Sequence, residues 1–392
     1  MQTIYIITEN YKQVNYRALK LLKLRNEYKI HLIVSKSQSV KTKNPDDILI
    51  RSSKNIFGIF KRIGLRKLSN KLSSLFYFPS PKILYTNKVI KFIEENLIKN
   101  KDIKPILITI CPPHDMALTG LALKKKYPNL KWINDLQDLW SYDEYYFNRY
   151  NAKKKIKIKK LEMQILNNSD INVVSNEFAK DILIQKYGIN SSNIKTIYHP
   201  FDRTEFNLLE AEQTISKNVI SIAFVGMLFK EPKVPGEDLI FTLNKFVKQS
   251  NKKIVFNLIG SVFPEHIRKE INENLILKEY KNRPHKEAFE LAAKSDYLVI
   301  LLGDVPNARV IMHAKLSHYL ILNKPILAFV PEDSFVANVI RKTNAGYIMK
   351  YNGNVISQLN TIFENNEKLV TNKKEIEKFE LSKFLDEFKK LF

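Results

Sequence analysis

Cysteine and long apolar runs are both scarce in this chain of 392 residues. The single cysteine, Cys111, excludes an internal disulfide and fits a reducing compartment. The most apolar stretch, residues 105–123, is interrupted by two prolines, a histidine and an aspartate. No uncharged run approaches the roughly 18 residues that a membrane span requires. From these absences we expect a cytoplasmic protein without a membrane-spanning helix.

Acidic residues are also in the minority. The chain has 64 lysines and arginines against 40 aspartates and glutamates, which gives a formal net charge of +24 at pH 7. Hydrophobic residues make up 44% of the sequence, enough for substantial cores, so the excess of lysine does not indicate disorder. Either the basic residues coat solvated faces, or some of them meet an anionic partner.

One segment, residues 51–72, favours an anionic partner. It holds basic residues interleaved with aliphatic and aromatic ones and contains no acid, a pattern that suits an anionic lipid surface. A second basic run, 153–160, begins a predicted helix. Nucleic acid would also attract such charge, but no RNA-binding aromatic signature or zinc-finger spacing is present. We therefore expect no nucleic-acid partner and peripheral association with the inner face of a membrane, through Lys61, Arg62, Arg66 and Lys67.

Short apolar runs alternate with helical patterns along both halves of the chain. Strands are predicted near 2–7, 30–34, 105–110, 131–135, 171–175, 194–198, 219–225, 254–259, 297–302 and 326–330. Continuous apolar runs of this length are typical of strands buried on both faces, and their alternation with helices predicts parallel sheets. The sequence therefore predicts an α/β protein of two doubly wound, Rossmann-like domains facing a cleft.

A polar stretch without regular pattern, residues 207–218, separates the two halves. We place the first domain at 1–205 and the second at 206–372. The C-terminal helix, 373–392, is expected to pack back on the first domain.

Glycines and cations follow the strands of the second half. Gly226 and Gly260 each come directly after a predicted strand, with Lys230, Arg309 and Lys315 in the segments that follow strands. The carboxyl ends of parallel strands meet on one side of a sheet, where ligands bind beside helix N-termini. Backbone amides and cations in that position suit a diphosphate.

Three motifs of the second half occur in a characteristic order. A strand ends in Phe-Val-Gly at Gly226, a turn with His285 precedes a helix and a Ser-Asp pair, and Lys315-Leu-Ser-His318-Tyr-Leu precedes Lys-Pro-Ile-Leu. This order resembles the donor-binding domain of GT-B glycosyltransferases, especially the retaining enzymes of family 4. In those enzymes the helix lysine faces the diphosphate of a nucleotide-sugar, and a glutamate three positions later holds the ribose hydroxyls.

The resemblance assigns donor-binding roles in the second half. Lys315 keeps the family's lysine, while His318 stands where the family has its glutamate. The implied donor-binding residues are Gly226, Lys230, Gly260, His285, Arg309, Lys315 and His318. For the two histidines, a partly buried position satisfied by backbone carbonyls is the alternative.

The first half resembles the acceptor domain of the same enzymes. Its Pro-Pro-His114 loop and the segment Asp135-Leu-Gln-Asp138-Leu-Trp140 are similar to the family's proline loop and Asp-rich motif. The resemblance implies catalytic roles for Asp135 and Asp138 together with Lys315, and an acceptor-side position for His114 and Trp140. Capping and turn roles are the alternative for the two aspartates.

The sequence contains no Asp-x-Asp triplet, which argues against the metal-bound diphosphate of GT-A enzymes. We therefore expect no cofactor and no required metal, with cations and helix N-termini stabilising the leaving diphosphate instead.

The resemblance implies a hexosyltransferase that moves a sugar from a nucleotide-sugar to a glycan or lipid-linked acceptor. The expected setting is bacterial-type surface polysaccharide synthesis, of capsule, lipopolysaccharide O-antigen or exopolysaccharide, by a retaining mechanism. Two alternatives remain open at this point: a nucleotide-sugar 2-epimerase of the same fold, and a non-catalytic sugar- or membrane-binding relative.

Overall fold

A computed structural model of the chain describes residues 1–10, 16–35, 44–51, 55–99, 104–148, 150–206, 218–230, 234–281, 283–349, 354–365 and 369–392. The chain divides into two compact units, Met1–Ile197 with Leu385–Phe392, and Tyr198–Phe384. The boundary proposed from the sequence, between 205 and 206, lies a few residues further along the chain. The polar stretch proposed to separate the halves falls outside the described residues except for Asn218.

The first unit is a parallel sheet with helices between its strands. Its strands are β1 Thr3–Asn10, β2 Lys29–Ser35, β3 Ile48–Ile50, β4 Ile106–Cys111, β5 Lys131–Leu136, β6 Ile171–Val174 and β7 Ile194–Thr196. Its helices are α1 Tyr16–Leu21, α2 Gly58–Arg62, α3 Arg66–Phe76, α4 Ile83–Lys99, α5 Met116–Lys126, α6 Glu144–Phe147, α7 Ala152–Asn168 and α8 Glu177–Gln185. The strand order is β3-β2-β1-β4-β5-β6-β7, and every neighbouring pair is parallel.

The second unit repeats this plan. Its strands are β8 Val219–Val225, β9 Phe229–Lys230, β10 Val234–Pro235, β11 Lys253–Ile259, β12 Leu275–Tyr280, β13 Tyr297–Leu301, β14 Ile326–Phe329 and β15 Gly346–Met349. Its helices are α9 Gly236–Gln249, α10 Glu265–Glu270, α11 His285–Ala292, α12 Ala314–Ile321, α13 Phe335–Thr343, α14 Val355–Asn365, α15 Lys373–Glu377 and α16 Leu381–Lys389. The main sheet has the order β12-β11-β8-β13-β14-β15 and is parallel throughout, while β9 and β10 form a short antiparallel pair.

All ten strands predicted from the sequence are present, and both parallel sheets are confirmed. The structure adds the short strands β3, β9, β10 and β15 and the strand β12, in which three apolar residues are followed by Lys278 and Glu279. No helix in the described ranges combines the length and the apolar character needed to cross a bilayer.

A buried ion pair joins α1 to the centre of the first sheet. Arg17 Nε donates to Asp135 Oδ2 at 2.8 Å, and both side chains are 0% exposed. The same guanidinium donates from Nη1 to the carbonyl of Ile197 at 2.8 Å and lies 5.6 Å from the ring centroid of Phe388. Burial raises the pKa of the Asp135 carboxyl, and the charge of Arg17 opposes that rise. One arginine therefore connects α1, β5, the end of β7 and the end of α16.

The last residues of the chain complete the first unit. Lys389 pairs with Glu27 at 2.6 Å, and the ring of Phe392 packs edge-on against Tyr28 at 5.0 Å between centroids. The C-terminal helix predicted at 373–392 is in fact two helices, α15 and α16, and of its residues only 385–392 belong to the first unit.

We expect Arg17→Met to lower the free energy of unfolding of the first unit by about 3–5 kcal/mol, because it leaves the Asp135 carboxylate buried without its counter-charge. The double variant Arg17→Met, Asp135→Leu should recover most of this loss, since it removes both buried charges. The two tryptophans of the chain, Trp132 and Trp140, both lie in this unit, so urea denaturation followed by tryptophan fluorescence reports on it directly.

Lys126→Met is the control, because it removes an exposed ion pair with Glu94 in the same unit. This variant should unfold at the parental midpoint. If the double variant were no more stable than Arg17→Met alone, the loss of stability would not come from the unpaired charge of Asp135.

Candidate functional site

The strand order of the second unit reverses at β8. From β8 the chain builds outward through β11 and β12 on one side, then returns to add β13, β14 and β15 on the other. In open parallel sheets, ligands bind outside the carboxyl ends of the strands at such a reversal. The carboxyl ends of β8 and its neighbours are therefore the first place to look for a binding site.

Two glycines shape this end of the sheet. Gly226 follows β8 with φ +112°, and Gly260 follows β11 with φ +98°. Both values lie in the region of positive φ that residues with a Cβ rarely adopt. The Gly226 amide donates to the carbonyl of Ile259 at 2.7 Å, and the Ser261 hydroxyl donates to the carbonyl of Gly226 at 2.8 Å. The two turns are thereby bonded to each other.

Helix α12 brings Lys315 to the same place. Its Nζ lies 3.8 Å from the ring centroid of Phe224 on β8, and 3.7 Å from the position that a Cβ on Gly226 would take. One turn further along α12, the hydroxyl of Tyr319 accepts a hydrogen bond from the Val225 amide at 3.0 Å, which docks the helix on the end of β8. The sequence prediction that Gly226, Gly260 and Lys315 converge is consistent with this arrangement.

Among the described residues, no acidic side chain pairs with Lys315. Within the part of the chain that the structure describes, its only specific contact is with the Phe224 ring, and it forms no hydrogen bond or ion pair. Burial lowers the pKa of its ammonium group to about 7. A half-buried lysine at the reversal point of a parallel sheet is suited to an anionic ligand, since the anion would supply the missing counter-charge.

The other two predicted cations have different surroundings. Arg309 ends a 3₁₀ helix, Pro306–Arg309, and pairs with Asp333 at 2.8 Å and with Asp304 at 3.0 Å. Its charge is already matched by two carboxylates, which does not favour a role as the cation at a diphosphate. Lys230 ends β9 half-buried, and a second lysine of this segment that could supply the charge in its place, Lys233, lies outside the described residues.

The two predicted histidines lie beside each other. His318 is 1% exposed, its ring centroid is 4.7 Å from that of His285, and its Nδ1 bonds the Ala314 carbonyl at 2.8 Å. His285 begins α11 and is exposed. The structure is therefore compatible with both roles considered for His318. It is buried and bonded to a backbone carbonyl, as a structural histidine would be, and it lies one turn along the helix from Lys315, as a donor-binding residue would.

In the first unit the strand order reverses between β1 and β4. His114 follows β4 and stacks on Trp140, with ring centroids 5.1 Å apart and planes 8° apart. Burial lowers the pKa of His114 to about 3, opposed by Asp143, so its imidazole is neutral at pH 7. A group with so low a pKa is a poor general base, and we assign it hydrogen-bonding or packing roles.

Two polar pairs at this reversal were not singled out from the sequence. Lys82 pairs with Glu9 at the end of β1, 2.6 Å apart, and the Ser80 hydroxyl donates to Asp115 at 2.7 Å. Asp115 follows His114 directly, so its position was readable as a residue after a strand. Ser80 is 35 residues from Asp115, and Lys82 is 73 residues from Glu9, so no local sequence pattern indicated either pair.

The two aspartates predicted as catalytic occupy different environments. Asp135 is paired with Arg17 inside the sheet and has no exposed surface, so its contacts are those of a structural carboxylate. Asp138 is half-buried in the loop after β5, where solvent reaches it. Of the pair, Asp138 is the one whose position is compatible with contact to a ligand.

We expect Lys315→Met to stabilise the ligand-free protein at pH 7. The wild-type ammonium is penalised by burial, so the unfolded state binds the proton more tightly than the folded state between pH 7 and about 10. Wild-type stability should therefore rise with pH across that window, and the advantage of the variant should shrink toward pH 10. Thermal melts at several pH values measure this difference. If Lys315→Met were less stable than the wild type at pH 7, or more stable by the same amount at every pH, the lowered pKa of Lys315 would be contradicted.

No protein-family model matches the chain, and no curated protein matches its sequence. Solved structures match it along its whole length. A glycosyltransferase from Rickettsia africae is 14% identical with a TM-score of 0.64, over 100% of this chain and 97% of the other. HepE from Anabaena, in complex with UDP, is 12% identical with a TM-score of 0.61, over 100% and 99%.

A UDP-GlcNAc 2-epimerase from Methanocaldococcus jannaschii is 13% identical with a TM-score of 0.56, over 100% of this chain and 99% of the other. At such identities the likeness shows the fold. Together with the two parallel sheets of seven and six strands, it establishes that the chain has the GT-B fold of two Rossmann-like domains. The predicted fold class is confirmed.

Proposed function

We propose that the chain is a glycosyltransferase that binds a nucleotide-sugar at the carboxyl end of the second sheet. The observation that carries the proposal is the ammonium group of Lys315, which lies beside the Gly226 turn and pairs with no acidic side chain of the described residues. A diphosphate placed there would meet this cation, the backbone of two glycine turns and the start of α12. The GT-B fold and the UDP bound to HepE support this choice of ligand class.

The chemistry follows from charge. Transfer of the sugar leaves negative charge on the departing diphosphate, and a cation that lacks an internal partner stabilises that charge more than one already neutralised. On this ground Lys315 is the proposed leaving-group cation, ahead of Arg309 with its two carboxylates. Asp138, His114 and Trp140 are the proposed acceptor-side residues. We propose a retaining reaction without a metal ion at the diphosphate.

We expect a UDP-hexose to bind the wild type more tightly at pH 6 than at pH 8.5, because Lys315 loses its proton on passing through about pH 7. The diphosphate diester of the ligand keeps its charge over this range. Lys315→Met should weaken binding by about 10-fold or more at pH 6, the order expected for one charge-assisted hydrogen bond. It should also remove the pH dependence. Isothermal titration calorimetry measures both, with GDP-, ADP- and CMP-linked sugars as further ligands.

The matched control is Lys324→Met. Lys324 is also a half-buried lysine of the second unit with a pKa lowered by burial, but it precedes β14 and so lies at the amino end of the sheet. If both variants lost the same affinity for the UDP-hexose, the assignment of Lys315 to the donor site would be wrong. No binding of any nucleotide-sugar would leave the non-catalytic relative as the better proposal.

The epimerase alternative predicts a different product. A 2-epimerase converts UDP-GlcNAc into its 2-epimer with no acceptor and no release of UDP, whereas a transferase releases UDP only as it transfers or hydrolyses the sugar. Chromatography of the reaction mixture with and without acceptor separates the two. The likeness to the Methanocaldococcus epimerase is the reason to run this comparison.

We further propose that α2 and α3 attach the protein to an anionic membrane, where a lipid-linked acceptor of surface polysaccharide synthesis would be met. The two helices form a folded platform: the Ser69 hydroxyl donates to the Phe57 carbonyl at 2.7 Å, and the Phe57 ring packs on Phe76 with centroids 5.1 Å apart. Phe57 is therefore part of the platform's own packing. Of the basic segment 51–72, residues 52–54 lie outside the described ranges.

The outer surface of this platform combines exposed apolar and basic side chains. Ile56, Ile59 and Ile63 are 68%, 60% and 63% exposed. Also exposed are Leu65, Leu68, Leu75 and Phe76, together with Lys61, Arg62, Arg66 and Lys67. Apolar residues that enter the headgroup region beside cations that meet anionic lipid are the usual composition of an interfacial helix.

We expect the protein to sediment with vesicles that contain anionic lipid at low salt. Less protein should sediment as salt is raised, because the screening length of the electrostatic attraction falls to about 10 Å at 0.1 M. Changing Lys61, Arg62, Arg66 and Lys67 to Gln should weaken binding by more than about 100-fold, at roughly 1 kcal/mol for each cation. The control changes Lys153, Lys157, Lys159 and Lys160 of α7 to Gln, which removes the same charge from another exposed surface. Equal loss in both variants would mean that net charge alone drives attachment.

A further inference from the structure

A cluster of three metal-ligating side chains lies in the second unit. Glu205, His285 and His318 each offer one ligand atom, and these three atoms all lie within 4.8 Å of one another. Ligand atoms around a tetrahedral zinc ion are about 3.3 Å apart, given bonds of roughly 2.0–2.1 Å. The largest separation therefore has to close by about 1.5 Å, which rotation of the exposed His285 and the half-buried Glu205 side chains can provide.

The buried member of the cluster is already oriented as a metal ligand. The Nδ1 of His318 lies 2.8 Å from the carbonyl oxygen of Ala314, and a carbonyl can only accept, so Nδ1 carries the proton. The Nε2 atom of the neutral ring then carries the lone pair. A histidine that donates one ring N–H to a backbone carbonyl and binds a metal through the other nitrogen is the common arrangement in metalloproteins.

Aromatic rings hold both imidazoles in place. Phe289 lies 4.7 Å from His318 and 4.8 Å from His285 between ring centroids, and Phe206 lies within 6 Å of both. Such an apolar wall lowers the local dielectric and strengthens the attraction between a cation and a carboxylate. The third ligand is positioned independently, because Asp202 caps the 3₁₀ helix Arg203–Glu205 through the Thr204 amide at 3.1 Å.

We propose that Glu205, His285 and His318 bind one divalent transition-metal ion, with Zn²⁺ as the preferred ion. Two imidazoles and one carboxylate suit zinc and its neighbours in the first transition row, and not the all-oxygen coordination that Mg²⁺ and Ca²⁺ prefer. Three protein ligands leave one tetrahedral position for water or for an oxygen of a bound molecule. The ion would tie the segment before residue 207 to the start of α11 and the middle of α12. The site shares α12 with Lys315, whose proposed contact to a diphosphate involves no metal.

The test uses Zn²⁺ alone, without nucleotide, so its outcome does not depend on the proposed transferase activity. We expect metal-stripped wild-type protein to take up one equivalent of Zn²⁺ in competition with a weak chromogenic chelator. His285→Ala and Glu205→Gln should each weaken uptake by more than about 100-fold, since even loss of an outer partner costs roughly 10- to 100-fold. Substitution at the buried His318 is avoided because it risks the fold.

His266→Ala is the matched control. His266 is another exposed histidine of the second unit, 3.2 Å from Glu237, and it lies outside the cluster. This variant should bind Zn²⁺ as the wild type does. Substitution with Co²⁺ adds a spectroscopic readout, because four-coordinate Co²⁺ has strong visible bands that His285→Ala should abolish.

Two outcomes would overturn the proposal. The first is a wild-type protein that takes up no Zn²⁺ from the chelator. The second is uptake that His285→Ala and Glu205→Gln leave unchanged, or that His266→Ala reduces equally, which would indicate adventitious binding by surface histidines.

Discussion

Parallel pairing of β8 with both β11 and β13 is the constraint on which the second unit depends. Because three parallel strands end on the same side, the turns that follow them must meet there, and the turn after β8 has a positive φ of +112° at Gly226, a conformation that favours glycine. The helix that packs over this end then has to place some side chain above the Phe224 ring. That side chain is Lys315, whose ammonium group lies 3.8 Å from the Phe224 ring centroid and pairs with no acid in the part of the chain that the structure describes.

Much of this was readable from the sequence because it rests on local pattern. Strands buried on both faces appear as continuous apolar runs, and the order of strands and helices then fixes which loops share one side of the sheet. Gly226, Gly260 and Lys315 were located in this way. The resemblance to GT-B enzymes added the choice of a nucleotide-sugar, which periodicity alone does not provide.

What could not be read depends on contacts between distant positions. The partner of Asp135 is Arg17, 118 residues earlier, and no local pattern reveals a buried ion pair between such distant positions. The two carboxylates that pair with Arg309, Asp304 and Asp333, were likewise not indicated by its local sequence. Strand β12 was not predicted because its apolar run is only three residues long and is followed by Lys278 and Glu279, as suits a half-exposed edge strand.

The division of the first unit into two pieces has a consequence for synthesis on the ribosome. Residues 385–392 close the surface around Arg17 and Tyr28, yet they are translated only after the whole of the second unit. Domains generally fold in the order in which they emerge. Here the unit that emerges first is the one that finishes last, and a nascent chain arrested before residue 385 carries a complete second unit beside an unfinished first.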